Sequence, residues 1–216
     1  MEWIVPLIAT IILALFLIFF LTKRNRTKEI IAISLVTLSM LIYHIGDLFL
    51  WSEWMDYEIA RRIASIGFYL EIPFMILLMY LLLPKEKHSM FMRIATTILF
   101  IPWIVALLMI CKSPIVFLEN HGEFNENFVY LLILCFVISS IFIAIKAFRA
   151  NKFREDKIGK KLSNRFAIGV IIYTVLYLII FSSMETFGQD LTWLFGIASI
   201  IFVFMLWHGS IIKKES

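Results

Sequence analysis

The chain has 216 residues, 62% of them hydrophobic and 17% charged, with a formal net charge of +4. This composition, with a mean hydropathy of +0.92, leaves too little polar surface for a soluble domain. The pI near 9.1 does not indicate a nucleic-acid partner, because the basic residues lie where a membrane protein carries them.

Seven apolar stretches follow one another along the chain. Each is about 17 to 22 residues long, enough to cross about 30 Å of hydrocarbon at 1.5 Å per residue. Lipid offers the backbone no water to bond, so each stretch should be a helix. The expected spans are Trp3–Leu21, Ile30–Trp51, Ile63–Leu83, Ile94–Cys111, Phe128–Ile145, Phe166–Ser183 and Leu191–Trp207. The sequence therefore predicts an all-α polytopic membrane protein, a single seven-helix transmembrane bundle over residues 1–216.

The charges between the stretches predict an orientation. Of the 20 Lys and Arg residues, 17 follow the first, third, fifth and seventh stretches. The other side holds three, Arg61, Arg62 and Lys112, with nine acids from Glu2 to Asp190. Because Lys and Arg concentrate in cytoplasmic loops, the N-terminus is expected outside and the C-terminus inside. We therefore expect a multi-pass protein of the inner (plasma) membrane of a bacterial-type cell, with the lipid bilayer as its first partner.

The connection Lys146–Arg165 is strongly basic and has helical character. We expect it to extend spans five and six and to lie against anionic headgroups. The alternative is a docking surface for a separate cytosolic or membrane output protein, with Lys152, Arg154, Lys160 and Lys161 as its cations.

The opposite connection, residues 112–127, carries four potential metal ligands: Glu119, His121, Glu123 and Glu126. Solvated acids on an external loop are far commoner than a metal site. We therefore expect no metal and no other cofactor.

Ionisable residues inside apolar spans are costly and are the first place to look for function. His44 and Asp47 lie three residues apart in span two, so they share one helical face. Glu71 lies in span three at a similar depth in the outer half. The three side chains could share one pocket.

Three interpretations of these groups stay open. They could be a buried polar network that joins helices two and three. They could form a ligand- or ion-sensing pocket that opens to the outside, and buried carboxyl groups would make such a site sensitive to protons. They could also belong to a proton or substrate path. The hydrogen-bond partners decide among these, and the sequence does not give them.

Aromatic residues cluster near the same end, and interfacial belts explain most of them. Some could line an apolar pocket beside the acids. The aromatic candidates for ligand contact are Tyr43, Trp51, Tyr69, Tyr173, Tyr177 and Trp193. Small residues such as Gly196 and Ser199 are expected only to allow close helix packing.

Enzyme chemistry is not expected. The chain contains no G-x-S-x-G, no H-E-x-x-H and no phosphate-binding glycine loop. A metal site with His44 would need further ligands at the same depth, and His208 is expected at the opposite end of the bundle.

Three passages resemble the seven-helix N-terminal sensor region of bacterial histidine kinases and of some cyclic-dinucleotide enzymes. They are Asp47–Pro84, the pair Pro102–Trp103, and Gln189–Trp207. The positions that carry the resemblance are Asp47, Trp51, Gly67, Pro73 and the Asp-Leu-Thr segment at 190–192. The resemblance implies a membrane sensor that detects a signal within its helices.

The chain departs from that family in having no phosphoacceptor histidine and no nucleotide site after Trp207. The expectation is therefore a free-standing, non-catalytic receptor or signalling subunit that binds a small hydrophobic or amphipathic ligand in the outer half of the bundle. The alternative is a small transporter or an ion or proton channel that uses Asp47 and Glu71.

Overall fold

The structure, a computed structural model, describes residues 3–23, 27–112, 118–119, 123–124, 126–187 and 194–211. Within these ranges α-helices are joined by short connections, which include a 3₁₀ turn at Lys85–Lys87 and two paired two-residue strands, β1 Leu118–Glu119 and β2 Glu123–Phe124. The helices are α1 Ile4–Thr22, α2 Lys28–Ser52, α3 Tyr57–Leu82, α4 Met90–Lys112, α5 Glu126–Phe153, α6 Lys157–Phe187 and α7 Phe195–Ser210.

Six of the helices, α1 to α6, are long and apolar enough to span a membrane. Helix α7 is also apolar, but its described part has 16 residues and is shorter than each of the other six helices. Residues 191–193, where the seventh span is expected to begin, lie outside that part. The all-helical architecture is confirmed, whereas the seventh span and the orientation stay predictions.

The basic connection between spans five and six is almost entirely helical, as its composition predicts. Helix α5 continues to Phe153 and α6 begins at Lys157. The turn between them is closed by Asp156, whose carboxylate accepts a hydrogen bond from the Gly159 backbone N–H at 2.6 Å. Such a cap satisfies a donor that the first turn of a helix leaves unpaired.

Helix α3 begins six residues before the expected span. Asp56 precedes its first turn and accepts hydrogen bonds from the backbone N–H groups of Glu58 and Ile59. The apolar pattern marked only the part of the helix suited to lipid, whereas the cap starts the helix in the polar segment before it.

The helices form two closely packed antiparallel pairs, α2–α3 and α6–α7. Helix α1 packs against α2 and α7, and α5 packs against α6 and α3. Helix α4 lies at the periphery against α3. Between the two pairs, α2 meets α7 and α3 meets α6 over much smaller contacts. We call this interface the junction.

Two glycines set the close approach within the α2–α3 pair. A Cβ at Gly46 would lie 2.7 Å from Ala64 Cα and 2.8 Å from Ala60 O, and a Cβ at Gly67 would lie 2.7 Å from Ser39 O. These atoms belong to the backbone of the facing helix, so no rotamer change could make room. Small residues allow membrane helices to approach in this way.

The bundle has a basic end, where α1, α3, α5 and α7 finish, and an acidic end opposite. At the basic end the Lys23 ammonium donates a hydrogen bond to Ser210 O at 2.9 Å, which joins the last turns of α1 and α7. Burial lowers the pKa of Lys23. The outward faces of α1 and α4 carry exposed apolar side chains, as a lipid-facing surface requires. Among them are Ile11, Leu15, Ile18, Ile98, Ile101 and Leu108.

Candidate functional site

Two buried hydrogen bonds cross the junction. The Tyr173 hydroxyl of α6 donates to Glu71 Oε2 of α3 at 2.6 Å. His44 Nε2 of α2 lies 2.9 Å from Ser199 Oγ of α7, and the tautomer of the imidazole decides which of the two donates. His44, Glu71 and Ser199 are fully buried, and Tyr173 is 2% exposed. We call these four residues the polar layer.

The two hydrogen bonds join the same two helix pairs, since α3 is bound to α6 and α2 to α7. Glu71 Oε1 and His44 Nδ1 have no hydrogen-bond partner among the described residues. Both atoms are enclosed and retain hydrogen-bonding capacity, which is costly in an apolar interior.

The polar layer joins other helices than the sequence led us to expect for a buried polar network. That interpretation has the polar groups joining helices two and three, whereas the hydrogen bonds join α3 to α6 and α2 to α7. On α2, His44 and Gly46 lie two residues apart, about 200° around the helix. Because Gly46 faces α3, His44 is turned away from α3 and toward α7.

Aromatic rings cover the polar layer on the side of the acidic end. The Tyr177 ring lies between Phe68 and Phe195, with centroid distances of 5.6 and 4.7 Å and interplanar angles of 13° to both. The ring centroid of Tyr43 lies 6.2 Å from that of Phe68 and 6.4 Å from that of Phe195. Phe68, Tyr177 and Phe195 each lie one helical turn from a member of the polar layer. We call Tyr43, Phe68, Tyr177 and Phe195 the aromatic layer.

The two layers differ in exposure. Tyr43, Phe68 and Tyr177 are partly exposed, and Phe195 is 6% exposed. The polar layer beneath them is closed to solvent.

The other residues predicted in spans two and three lie around these layers. Asp47 is buried, one turn beyond His44. Trp51 is half-buried near the end of α2. Tyr69 is buried on another side of α3, where its ring lies 6.2 Å from that of Trp103 on α4. Tyr69 therefore faces α4 rather than the junction.

Trp193 lies outside the described residues, as does His121 of the connection between α4 and α5. The side chains of Glu119, Glu123 and Glu126 are also outside the description. Among the described side chains, no three His, Cys, Asp or Glu residues are grouped as a metal site would need.

Sequence reasoning missed Ser199, Phe68 and Phe195 as members of the site. Ser199 reads as a packing residue, because serine in a membrane helix is usually that. Helical spacing was the available signal: Phe68 lies three residues before Glu71, and Phe195 four before Ser199, so each pair shares a face.

The four cations of the alternative docking surface differ in exposure. Lys152 and Lys160 are exposed, and Lys161 is partly exposed. The Arg154 side chain is only 18% exposed and is bound within the protein. Arg154 therefore differs from the exposed cation that a docking surface requires.

Comparison with protein-family models, with curated proteins and with solved structures gives no match to this chain. The class of protein is therefore defined by the fold alone. Its helices, six of them long and apolar enough to span a bilayer, place it among the α-helical membrane proteins. The resemblance to kinase sensor regions stays a prediction.

Proposed function

We propose that the protein is a non-catalytic membrane sensor in which a small hydrophobic or amphipathic ligand changes the packing of the junction. The observation that carries this proposal is the arrangement of the two layers. Partly exposed rings cover an enclosed polar layer, and both layers lie between two tightly packed helix pairs.

The proposal requires a junction with two arrangements, and the hydrogen-bond energies are of a size that a ligand can oppose. Hydrogen bonds between membrane helices contribute on average about 0.6 kcal/mol, and at most about 1.7 kcal/mol in measured cases. The two that cross the junction are therefore strong enough to favour one arrangement and weak enough for a ligand to oppose. A ligand shifts such an equilibrium only by its difference in affinity for the two states.

The site chemistry favours an amphipathic ligand. The rings of the aromatic layer offer apolar contact. The unpartnered Glu71 Oε1 and His44 Nδ1 atoms offer hydrogen bonds to a polar group that passes between the rings. A molecule with an apolar body and one polar head, such as a fatty acid or a lipid, would satisfy both layers.

Transport is the second candidate. The observation in its favour is that Asp47 on α2 and Glu71 on α3 are both buried carboxyl groups in spans next to the junction. Intramembrane acids commonly mark proton and ion paths. A transporter would have to open these groups to both sides of the membrane.

Photolabelling tests the sensor. The purified chain would be reconstituted in phosphatidylethanolamine–phosphatidylglycerol vesicles with a fatty acid that carries a diazirine near its carboxyl group. After illumination, mass spectrometry would map the labelled residues. The proposal predicts labels at Phe68, Tyr177 or Phe195 that excess unlabelled oleate removes. Labels at Ile98 and Ile101 of α4 report contact with bulk lipid and should resist the competitor.

Competition-resistant labelling of α4 and α1 alone would contradict the ligand site. The same vesicles, loaded with a pH-sensitive dye, test transport. A proton flux above that of empty vesicles, abolished by Glu71→Gln, would replace the sensor with a transporter.

A further inference from the structure

Arg154 occupies a central place at the basic end. Its Nε donates to Leu82 O at 3.0 Å, and its Nη2 donates to Leu81 O at 3.2 Å and to Glu29 Oε1 at 2.6 Å. Leu81 and Leu82 are the last residues of α3, and Glu29 lies in the first turn of α2. One guanidinium, carried by the turn between α5 and α6, thus binds both helices of the α2–α3 pair.

The contacts suit the charges of these helix ends. The last carbonyl groups of a helix have no partner within it and carry partial negative charge, which a guanidinium can satisfy. The Glu29 carboxylate adds a charge-assisted hydrogen bond. Arginine offers five donors in a fixed plane, so it can bind three acceptors at once, which lysine would not do in this geometry.

The first turn of α6 is shaped around this side chain. A Cβ at Gly159 would lie 2.4 Å from Arg154 Cδ and 2.5 Å from Asp156 Oδ2. Glycine at this position therefore leaves the space through which the arginine reaches α3.

Arg154 bridges the same two parts of the bundle as the polar layer. Tyr173, which binds Glu71, lies on α6, and α6 begins at the turn that carries Arg154. The α2–α3 pair is thus held at two heights, to α6 by Tyr173 within the bundle and to the α5–α6 turn by Arg154 at the basic end.

We propose that Arg154 is a latch that couples the polar layer to the basic end, so that separation at the junction releases the Arg154 side chain and opens the carbonyl end of α3. This inference rests on the proposed sensor function and names how its state reaches the surface where an output protein would bind. The released Arg154 guanidinium would then form one cationic surface with the exposed Lys152 and Lys160, and an output protein could bind there.

Cysteine accessibility at Leu83 tests the latch. Leu83 follows the last turn of α3 and is 5% exposed. A cysteine placed there by Leu83→Cys, with Cys111 and Cys135 replaced by alanine, would be alkylated with a membrane-impermeant maleimide on the full chain in vesicles. Arg154→Gln should raise the alkylation rate about tenfold, the scale expected when charge-assisted hydrogen bonds are lost. Arg149→Gln, at an exposed cation on α5, should leave the rate unchanged.

Coupling separates a latch from a simple helix cap. The latch predicts that Tyr173→Phe also raises the alkylation rate, and that it has no further effect when Arg154→Gln is present. Ser199→Ala serves as a second junction variant if Tyr173→Phe does not fold. The proposal is overturned if the junction variants leave the rate unchanged, or raise it by the same factor with and without Arg154.

The photolabelling result is independent of this one. If the fatty acid labels the aromatic layer while the junction variants leave Leu83→Cys protected, the sensor stands and the latch fails. If the aromatic layer is not labelled but the junction variants raise the alkylation rate only when Arg154 is present, the ligand-binding proposal fails and the coupling between the junction and Arg154 stands.

Discussion

The contacts within the α2–α3 pair and the contacts across the junction represent two ways of joining membrane helices. Within the pair, Gly46 and Gly67 bring backbone against backbone, and at these two positions no side chain separates the helices. Across the junction, two hydrogen bonds and a few rings fill a smaller contact. Backbone contact allows no alternative arrangement, because rotamers cannot relieve a displacement. Side-chain hydrogen bonds can be exchanged for others.

This difference identifies which parts of the bundle can move. Packed interfaces tend to switch between discrete arrangements rather than deform gradually. The α2–α3 pair should therefore move as a unit, and the junction, where its contacts with α6 and α7 are small, is a boundary at which it can move.

The largest expected effect comes from breaking the tight contact. Gly46→Ala would place a Cβ against the Ala64 backbone and force α2 and α3 apart. Overpacking of this kind costs about 1 to 3 kcal/mol, or more where nothing can yield. Thermal unfolding in detergent would measure it. Gly169→Ala is the matched control, because its Cβ would lie 3.1 Å from a ring carbon of Phe202, a side chain that can shift. Equal losses for both variants would contradict the distinction.

Tyr173→Phe should have the next largest effect. It removes the donor to Glu71 and leaves a buried carboxyl group without that bond, at a cost of about 1 to 3 kcal/mol in the free energy of unfolding. Tyr177→Phe, one turn away, is the control and should change stability less.

A double variant sharpens this prediction. Glu71→Met combined with Tyr173→Phe removes both polar partners, which is often nearly neutral. The double variant should therefore be more stable than Tyr173→Phe alone. A double variant less stable than either single one would show that the Tyr173–Glu71 bond is not the interaction that matters.

Ser199→Ala should have a smaller effect, about 0.5 to 1.5 kcal/mol, because it removes one neutral hydrogen bond to His44. Ser140→Ala is the control, since the Ser140 hydroxyl is buried with no hydrogen-bond partner among the described residues. Removing that hydroxyl should be neutral or slightly stabilising. If Ser140→Ala cost as much as Ser199→Ala, the junction bond would have no special role.

The smallest loss of stability is expected for a substitution outside both the α2–α3 contact and the junction. Glu58 and Arg62 form an exposed ion pair four residues apart on α3. Glu58→Gln should cost at most about 0.5 kcal/mol, because solvent and salt screen such pairs. A larger loss in a thermal melt would mean that the acidic end of α3 contributes to the junction.

The fold was accessible from sequence because lipid permits few structures. Apolar length and the need to satisfy backbone groups lead directly to helices, so α1 to α6 were expected near their observed places. Their ends were harder to predict. Asp56 starts α3 in a polar segment, and the basic residues after Ile145 continue α5, because capping and surface charge set helix ends outside the hydrocarbon.

The candidate site was accessible only in part. The sequence alone points to His44, Asp47 and Glu71, because placing an ionisable group in an apolar span costs free energy and few such groups are tolerated there. Their partners depend on how the helices pack, which no local pattern encodes. Ser199 shows this clearly: its role comes from lying opposite His44 on a helix 155 residues away in sequence.

The most direct test of the central claim compares motion within the α2–α3 pair with motion across the junction. Spin labels at the exposed positions Leu77 of α3 and Ile31 of α2 would report the pair, and labels at Leu77 and Ile171 of α6 would report the junction. Double electron–electron resonance would compare the otherwise unchanged chain with Tyr173→Phe in vesicles. If the α2–α3 pair moves as a unit at the junction, the distance distribution between Leu77 and Ile171 should shift or broaden. The distribution between Leu77 and Ile31 should stay unchanged. An unchanged distribution for both pairs, or an equal change in both, would contradict the claim.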